Sequence, residues 1–223
     1  MWTQSINLRK ITDLKNQRQT DQLVIEKQTR LYLNSKFVTE LTHTPQFEKE
    51  MAVGYLILNN KIGFDIDDVK QEADGIYVTA KEGSLNLSPN ANIQKPDKAM
   101  IFETTAYFQQ SAVLFKKTAI TESAALACAN KLVVHSEDLS QETALYKLIG
   151  RNFFHENKYS YSELSLLISA KLDLSLIKKI ALLGLGLVIS RTAPTKQALD
   201  FAADYNISVV GFARGKRFNW YLT

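Results

Sequence analysis

The stretch that decides the fold is SRTAPTKQALDFAADYNISVVGFARGKRFNWYLT, residues 190–223. Within it, PTKQALDFAADYN (194–206) has the length and spacing of an amphipathic helix, and ISVVGFA (207–213) is an apolar run of strand length. A loop, a helix and a buried strand in this order are typical of an α/β unit. The strand leads into a strongly basic turn formed by Arg214, Gly215, Lys216 and Arg217.

The same alternation of strands and helices continues upstream. Short apolar runs at 164–169 and 186–190 predict strands, and the segments 140–150 and 175–184 have helical spacing. We therefore predict that residues 98–223 form a layered α/β domain with a largely parallel sheet. Its remaining predicted elements are a long helix at 98–117, a short helix at 121–130 that contains Cys128, a strand at 131–136 and a strand at 217–222.

Residues 1–97 are interpreted as a small, strand-rich α+β domain, with the boundary in the proline-containing stretch 82–98. The first twenty residues are polar and are predicted to form a loose or edge segment. The segment 22–38 predicts a hairpin that turns at Asn34-Ser35. The next elements are a helix with Thr44 as N-cap and Pro45 as its first residue, and strands at 75–80 and 84–88.

Composition narrows the function classes. The 223 residues carry a formal net charge of +4, which is too small to indicate a nucleic-acid partner. The one cysteine excludes an internal disulfide, and the three histidines stand far apart, so no metal site is predicted. No signal peptide or membrane-length apolar run is visible, and we expect a cytoplasmic protein.

The predicted sheet brings basic residues together. Ligands of α/β sheets bind beyond the carboxyl ends of the strands, where loops lead into helices. If the strands run parallel, these ends carry Lys171, Arg191, Arg214, Lys216 and Arg217. The loop at 190–195 could add the hydroxyl of Thr192 or Thr195 to an anion site, and Gly211 could allow close approach of a ligand. The alternative is a solvated basic surface.

Two of these segments resemble the formate dehydrogenase accessory sulfurtransferase family, FdhD. The segment APTKQALDFAADYN (193–206) is similar to the family's Ala-Pro-Thr helix, and GFAR (211–214) is similar to its terminal Gly-Phe-x-Arg strand. The resemblance implies a cytidine-deaminase-like α/β domain. It also implies binding of the molybdenum bis(molybdopterin guanine dinucleotide) cofactor as a substrate, with no metal bound directly by the protein.

The resemblance also implies partners and positions. The expected partners are a formate dehydrogenase-like molybdoenzyme and a cysteine desulfurase, with no nucleic acid and no membrane, and the family tends to form homodimers. The positions in this chain that match the family's cofactor-binding segments are Thr118, Glu137, Asp138, Ser169, Lys171, Arg191, Thr192, Thr195, Phe212, Ala213, Arg214, Gly215, Lys216 and Arg217.

The chain also departs from the family pattern. The sulfur-carrying members have a Cys-x-x-Cys loop ahead of the long helix, and the corresponding stretch here contains no cysteine. A thiolate is the nucleophile that would carry the sulfur, so direct transfer lacks its group and no catalytic residue is assigned. Glu122 stands where the family has a histidine. Two hypotheses remain: a cofactor-binding accessory protein, or a non-catalytic scaffold that has lost the ligand. A third, with Cys128 as the sulfur carrier, requires an exposed thiol of low pKa.

Overall fold

A computed structural model of the protein describes residues 2–90, 95–156 and 159–221. The first half of the described chain forms β1 (Thr3–Thr12), β2 (Lys15–Val24), β3 (Lys27–Leu33), β4 (Lys36–His43), α1 (Glu48–Leu58), β5 (Ile62–Gln71) and β6 (Ile76–Glu82). β1 and β2 pair only with each other and form a ribbon, whereas the other four strands form a sheet in the order β4-β3-β6-β5.

The second half forms the larger sheet and the helices around it. Its elements are α2 (Lys98–Ser111), α3 (Val113–Thr118), β7 (Glu122–Cys128), β8 (Lys131–Asp138), α4 (Gln141–Phe153), β9 (Leu164–Ile168), α5 (Leu174–Leu182), β10 (Leu187–Ser190), α6 (Lys196–Asp204), β11 (Ser208–Arg214) and β12 (Arg217–Trp220). The strand order is β12-β11-β10-β9-β7-β8. The α/β class is confirmed, but the sheet is mixed: β9, β10 and β11 are parallel, and the other pairings are antiparallel.

The helices cover the six-stranded sheet on both faces. Ile101 and Phe108 of α2 pack with Ala125 and Leu167 in one buried cluster. On the opposite face, α4, α5 and α6 share a second buried cluster with α1 and the four-stranded sheet. This second cluster contains residues from both predicted domains, and the division at residue 97 stays a prediction, as does the likeness to a cytidine deaminase.

The predicted short helix at 121–130 is wrong, because this segment is strand β7. Ala124–Ala127 are completely buried, since β7 lies between two other strands and has helices on both faces. Alanine favours helices in isolation, but tertiary packing of small side chains between two helical layers outweighs that preference here. Cys128 therefore ends a strand, paired with Lys131 and Leu164, and is not part of a helix.

Two boundaries also differ from the prediction. Helix α1 begins at Glu48 and not at Pro45, because Phe47 occupies the N-cap position with a left-handed backbone (φ 51°). The long helix predicted at 98–117 is interrupted at Ala112, whose ψ of 68° is not helical. The turn at Asn34-Ser35, the cap at Ser140 and the helices α4, α5 and α6 are confirmed.

The remaining differences concern strands with little burial. The first twenty residues were predicted as a loose or edge segment, and they lie in the ribbon of β1 and β2, in which both strands are edge strands. β5 was not predicted, because the charges of Asp65, Asp67 and Asp68 obscure its alternation at the edge of its sheet. The predicted strand at 84–88 is wrong, because these residues have no regular secondary structure.

Helices α1 and α4 cross at two glycines. A Cβ atom on Gly54 would lie 1.9 Å from the carbonyl oxygen of Tyr146, and a Cβ on Gly150 would lie 1.8 Å from the carbonyl oxygen of Glu50. Each helix therefore places a glycine against the backbone of the other. This contact joins the four-stranded sheet, on which α1 packs, to the six-stranded sheet, on which α4 packs.

A buried ion pair lies beside this crossing. The side chains of Lys147 and Asp138 are 1% and 0% exposed, and their charged atoms are 2.5 Å apart. Lys147 also donates to the carbonyl and hydroxyl oxygens of Thr44, at 2.8 and 2.9 Å, and Thr44 donates its N–H to Asp138 at 2.8 Å. The imidazole of His43 continues the network with a 2.7 Å contact to the carbonyl of Thr44. Three separate segments thus share one set of buried polar contacts.

Replacing Gly54 by alanine should destabilise the protein strongly. The added Cβ would force the two helices apart, which costs about 3 kcal/mol, the upper part of the range for overpacked cores. For a chain of this size, this corresponds to a fall in Tm of roughly 6–12 °C. The matched control is Gly83→Ala, because a Cβ at Gly83 has no atom within 4 Å. Equal melting temperatures of the two variants would contradict the crossing.

Stability should fall with acid because two histidines are held neutral. Burial lowers the pKa of His43, and burial with the positive charge of Arg151 lowers the pKa of His135 to about 4. In the unfolded chain both histidines titrate at about pH 6.5. As the pH falls below that value, the unfolded state therefore binds more protons than the folded state. We expect the free energy of unfolding to drop by up to about 1.4 kcal/mol per pH unit for each histidine.

Urea denaturation at pH 7, 6 and 5 measures this slope. His135→Gln should reduce it by nearly one histidine's share, because the substituted side chain does not titrate in this range. A slope that is the same in the variant and the parent chain would contradict the assignment.

Candidate functional site at the strand ends

The carboxyl ends of β9, β10 and β11 lie side by side because these strands are parallel and in register. Ser169 and Arg191 directly follow β9 and β10, and Arg214 ends β11. A cavity of about 290 Å³ opens beside them, which we call the strand-end cavity. It is lined by Phe108, Ala112, Phe115, Thr121, Glu122, Ser123, Ser169, Arg191 and Arg214.

Two arginines dominate the electrostatics of this cavity. Arg214 donates its Nε–H to the backbone carbonyl of Arg191 at 2.8 Å, which fixes the Arg214 side chain against the loop that carries Arg191. Arg191 is half-buried, and its Nε has no hydrogen-bond partner among the described residues. Burial and then the charge of Arg214 lower the pKa of Arg191, while Glu122 acts weakly in the opposite direction. The arrangement favours an anion, which would neutralise two like charges and satisfy the free N–H.

Glu122 is held by the neighbouring strand end. The hydroxyl of Ser169 donates to a carboxylate oxygen of Glu122 and accepts the backbone N–H of Ser123 at 2.8 Å. The carboxylate is thereby fixed on the side of the cavity formed by β7 and β9. It can orient a ligand through a hydrogen-bond donor on that ligand, but it cannot ion-pair with an anion.

Several predicted site residues have structural partners instead. The carboxylate of Glu137 accepts the N–H groups of Leu114 and Phe115, at 2.9 and 2.8 Å, and so caps α3. The hydroxyl of Thr118 donates to the carbonyl of Leu114, and that of Thr195 accepts the N–H of Ala198 at the start of α6. Asp138 belongs to the buried ion pair with Lys147. None of these four lines the strand-end cavity.

The other predicted residues surround the cavity without lining it. Lys171 is exposed and lies 4.0 Å from the carboxylate of Asp173. Thr192 contacts the hydroxyl of Ser190 through its N–H, at 3.0 Å. Ala213 in β11 is buried, whereas Phe212 in β11, Gly215 and Lys216 in the turn, and Arg217 at the start of β12 are exposed.

Gly211 has a role different from the one expected. A Cβ at this position would lie 2.8 Å from the ring of Tyr221 and 3.0 Å from the carbonyl of Thr192. The missing side chain therefore makes room for the protein's own chain and not for a ligand. The next residue, Phe212, has a left-handed backbone and donates its N–H to Thr192, which fixes the start of the basic turn.

The aromatic wall of the cavity was not predicted. Phe108 and Phe115 come from the segment 98–117, for which only a long helix was predicted. Phe108 is buried, whereas Phe115 is 40% exposed and faces the opening. The break at Ala112 turns the two helices so that residues from both line the site. No sequence signal other than these aromatic residues indicated this.

Cys128 lies at the far end of β7 from Glu122. The strand has seven residues, so its ends are about 20 Å apart at the usual rise of a strand. The thiol is half-buried and packs against the core. Among the described residues, no group of three or more histidine, cysteine or carboxylate side chains could hold a metal, and no helix is long and apolar enough to span a membrane.

Curated relatives are similar in sequence to this chain over between about half and nine tenths of their own length. The sulfur carrier protein FdhD of Listeria monocytogenes serovar 1/2a is 30% identical over 148 residues, which are 66% of this chain and 56% of that protein. The protein FdhD of Methanocaldococcus jannaschii is 27% identical over 208 residues, 90% of this chain and 88% of the relative.

A solved structure and a family profile are also similar to this chain. The crystal structure of a formate dehydrogenase accessory protein from Desulfotalea psychrophila superposes with a TM-score of 0.87 at 21% identity, covering 100% of this chain and 98% of that one. The profile described as the FdhD/NarQ family matches residues 73–223, a range that contains the whole six-stranded sheet and every residue lining the strand-end cavity. The chain therefore belongs to the FdhD/NarQ family.

Proposed function

We propose that this protein is an accessory factor for a formate dehydrogenase-like molybdoenzyme and binds the guanine-nucleotide part of the molybdenum bis(molybdopterin guanine dinucleotide) cofactor. The observation that carries the proposal is the pair Arg191 and Arg214 at the strand-end cavity, which has an unpaired N–H and no ion pair among the described residues. The planar guanidinium group matches the geometry of phosphate and carboxylate oxygens and can bind either in a bidentate way. The names of the relatives, sulfur carrier protein FdhD and formate dehydrogenase accessory protein, support the same role.

The nucleotide would enter between the aromatic wall and the strand ends. A cavity of about 290 Å³ is at the small end for ligand sites and suits one end of a dinucleotide better than the whole molecule. In this proposal the phosphates face Arg191 and Arg214, and the exposed Lys216 and Arg217 attract the anion from solvent. The guanine base would stack on the ring of Phe115.

The proposal gives the protein no sulfur-transfer step of its own. A persulfide needs a thiolate next to the cofactor, and Cys128 stands at the opposite end of β7. The sulfur would then be the outer sulfur of a persulfide on a cysteine of another protein, such as a cysteine desulfurase, and its transfer would leave that cysteine as a thiol. Such an exchange fits a reducing, cytoplasmic setting. A homodimer would remain compatible with this role.

A docking role is the second candidate. Tyr107, Val113 and Phe115 on α2 and α3 are 50%, 52% and 40% exposed, and large apolar side chains exposed in a group are typical of protein interfaces. A scaffold that binds a partner enzyme through this surface would not need the nucleotide. Binding measurements separate the two functions.

Substitution of the two arginines tests the nucleotide site. Arg191→Gln or Arg214→Gln should weaken GDP binding about ten- to hundredfold in titration calorimetry, because each removes a charged hydrogen bond of about 1.5–3 kcal/mol. Arg9→Gln is the matched control, since Arg9 is exposed on β1 and does not line the cavity, and should change the affinity little. Titrations with sulfate and AMP show whether the site is selective for GDP or binds anions in general. An unchanged GDP affinity in both cavity variants would favour the scaffold.

Cys128→Ser tests the thiol. We expect the variant to melt within a few degrees of the parent and to support formate dehydrogenase activation equally well, because the thiol is about 20 Å from the strand-end cavity. Loss of activation by a folded Cys128→Ser chain would restore Cys128 as the sulfur carrier.

A further inference from the structure

A second and larger cavity lies on the other side of α3, at the base of the β1–β2 ribbon. We call it the ribbon-base cavity; its volume is about 530 Å³, which is in the usual range for small-molecule sites. It is bordered by the first residues of β1, the approach to α1, helix α3, the end of β8 and helix α4. It shares no lining residue with the strand-end cavity.

One wall of this cavity is apolar and partly open to solvent. Trp2, Phe47 and Val113 line it and are 36%, 36% and 52% exposed. Phe47 also has a left-handed backbone with φ 51°, a conformation that a bulky side chain adopts at a cost of about 1–3 kcal/mol. Residues held in this way are concentrated at binding and catalytic sites. The backbone conformation directs the Phe47 ring into the cavity wall.

The same cavity contains a half-buried cation. The guanidinium of Arg151 lies 4.2 Å from the centre of the Phe47 ring, and one of its N–H groups donates to the backbone carbonyl of His135. Burial lowers the pKa of Arg151, and Glu50 opposes this only at longer range. Within the described part of the chain, no carboxylate forms an ion pair with Arg151.

The remaining charges at the cavity do not neutralise Arg151. Glu137 is a lining residue, but its carboxylate oxygens accept the N–H groups of Leu114 and Phe115. Lys117 adds a second, exposed positive charge at the opening. His135 is neutral near pH 7, because its pKa is lowered to about 4. The lining therefore combines an apolar wall with the two positive charges of Arg151 and Lys117 against the one negative charge of Glu137.

We propose that the ribbon-base cavity binds a small amphipathic anion, with its apolar body against Trp2, Phe47 and Val113 and its carboxylate or phosphate group facing Arg151. Lys117 attracts the anionic group at the opening. The cation–π contact with Phe47 and the bond to the His135 carbonyl hold the guanidinium in place before the ligand arrives. This site is independent of the nucleotide site proposed above, because a different arginine and a different aromatic wall form it.

The experiment uses Trp2 as the reporter in the full-length chain. The sequence has two tryptophans, so Trp220→Phe leaves Trp2 as the sole emitter. The probe is 8-anilinonaphthalene-1-sulfonate, and the matched neutral compound is N-phenyl-1-naphthylamine, which has the same aromatic rings without the sulfonate. We expect saturable quenching of Trp2 by the sulfonate. Arg151→Gln should weaken binding of the sulfonate about tenfold, because it removes one charged contact. The affinity for the neutral compound should stay unchanged.

Three comparisons decide the outcome. Arg191→Gln is the control, because it removes a half-buried arginine from the other cavity. This variant should bind GDP more weakly and should bind the sulfonate with the affinity of the parent chain. Lys117→Glu is the second variant, for the case in which Arg151→Gln does not fold, because Lys117 is exposed and its substitution should not affect folding. It should weaken binding of the sulfonate severalfold. Parent-like sulfonate affinity in a folded Arg151→Gln or Lys117→Glu chain, or an equal loss of both probes, overturns the proposal. Loss of the sulfonate in Arg191→Gln alone also overturns it.

Discussion

The buried ion pair between Lys147 and Asp138 is the contact on which the rest of the structure depends. It joins the end of β8 to α4, and through Thr44 it ties both to the segment that leads into α1. Removing one partner of such a pair leaves an uncompensated charge and typically costs about 3–5 kcal/mol. Here the cost would not be local, because Glu137, the residue before Asp138, caps α3. The position of the ion pair therefore sets the position of α3.

Helix α3 separates the two cavities. Leu114 and Val113 face the ribbon-base cavity, and Phe115 faces the strand-end cavity. The helix has only six residues, and the carboxylate of Glu137 satisfies N–H groups at its start. Each cavity combines one half-buried arginine with one aromatic wall. The fold thus contains two cavities with similar linings, and both lie against the same short helix.

Much of the fold was accessible from the sequence because its periodic segments agree with their environment. Strands β9, β10 and β11 are short apolar runs, and α4, α5 and α6 have a polar and an apolar face, so pattern and burial coincide. The pattern failed where tertiary packing decides. The alanines of β7 indicate a helix unless the layers on both sides are known, and the charges of β5 conceal an edge strand.

The site was predicted in part for the same reason. The rule that parallel strands present their carboxyl ends together was sufficient to place Arg191 beside Arg214. It could not show that Glu137, Thr118 and Thr195 use their side chains as helix caps or turn contacts, since the same residue types serve ligands equally well. Arg151 was missed altogether: its isolation from carboxylates is a property of the folded chain.

The ribbon adds a consequence for the motions of the protein. β1 and β2 pair along ten residues each, but nearly all of their side chains are exposed, and a two-stranded sheet is marginally stable alone in water. Their amide hydrogens should therefore exchange through local opening at a small fraction of the free energy needed to open β9. Trp2 belongs both to the base of this ribbon and to the cavity wall, so we expect opening of the ribbon to displace one wall of the ribbon-base cavity.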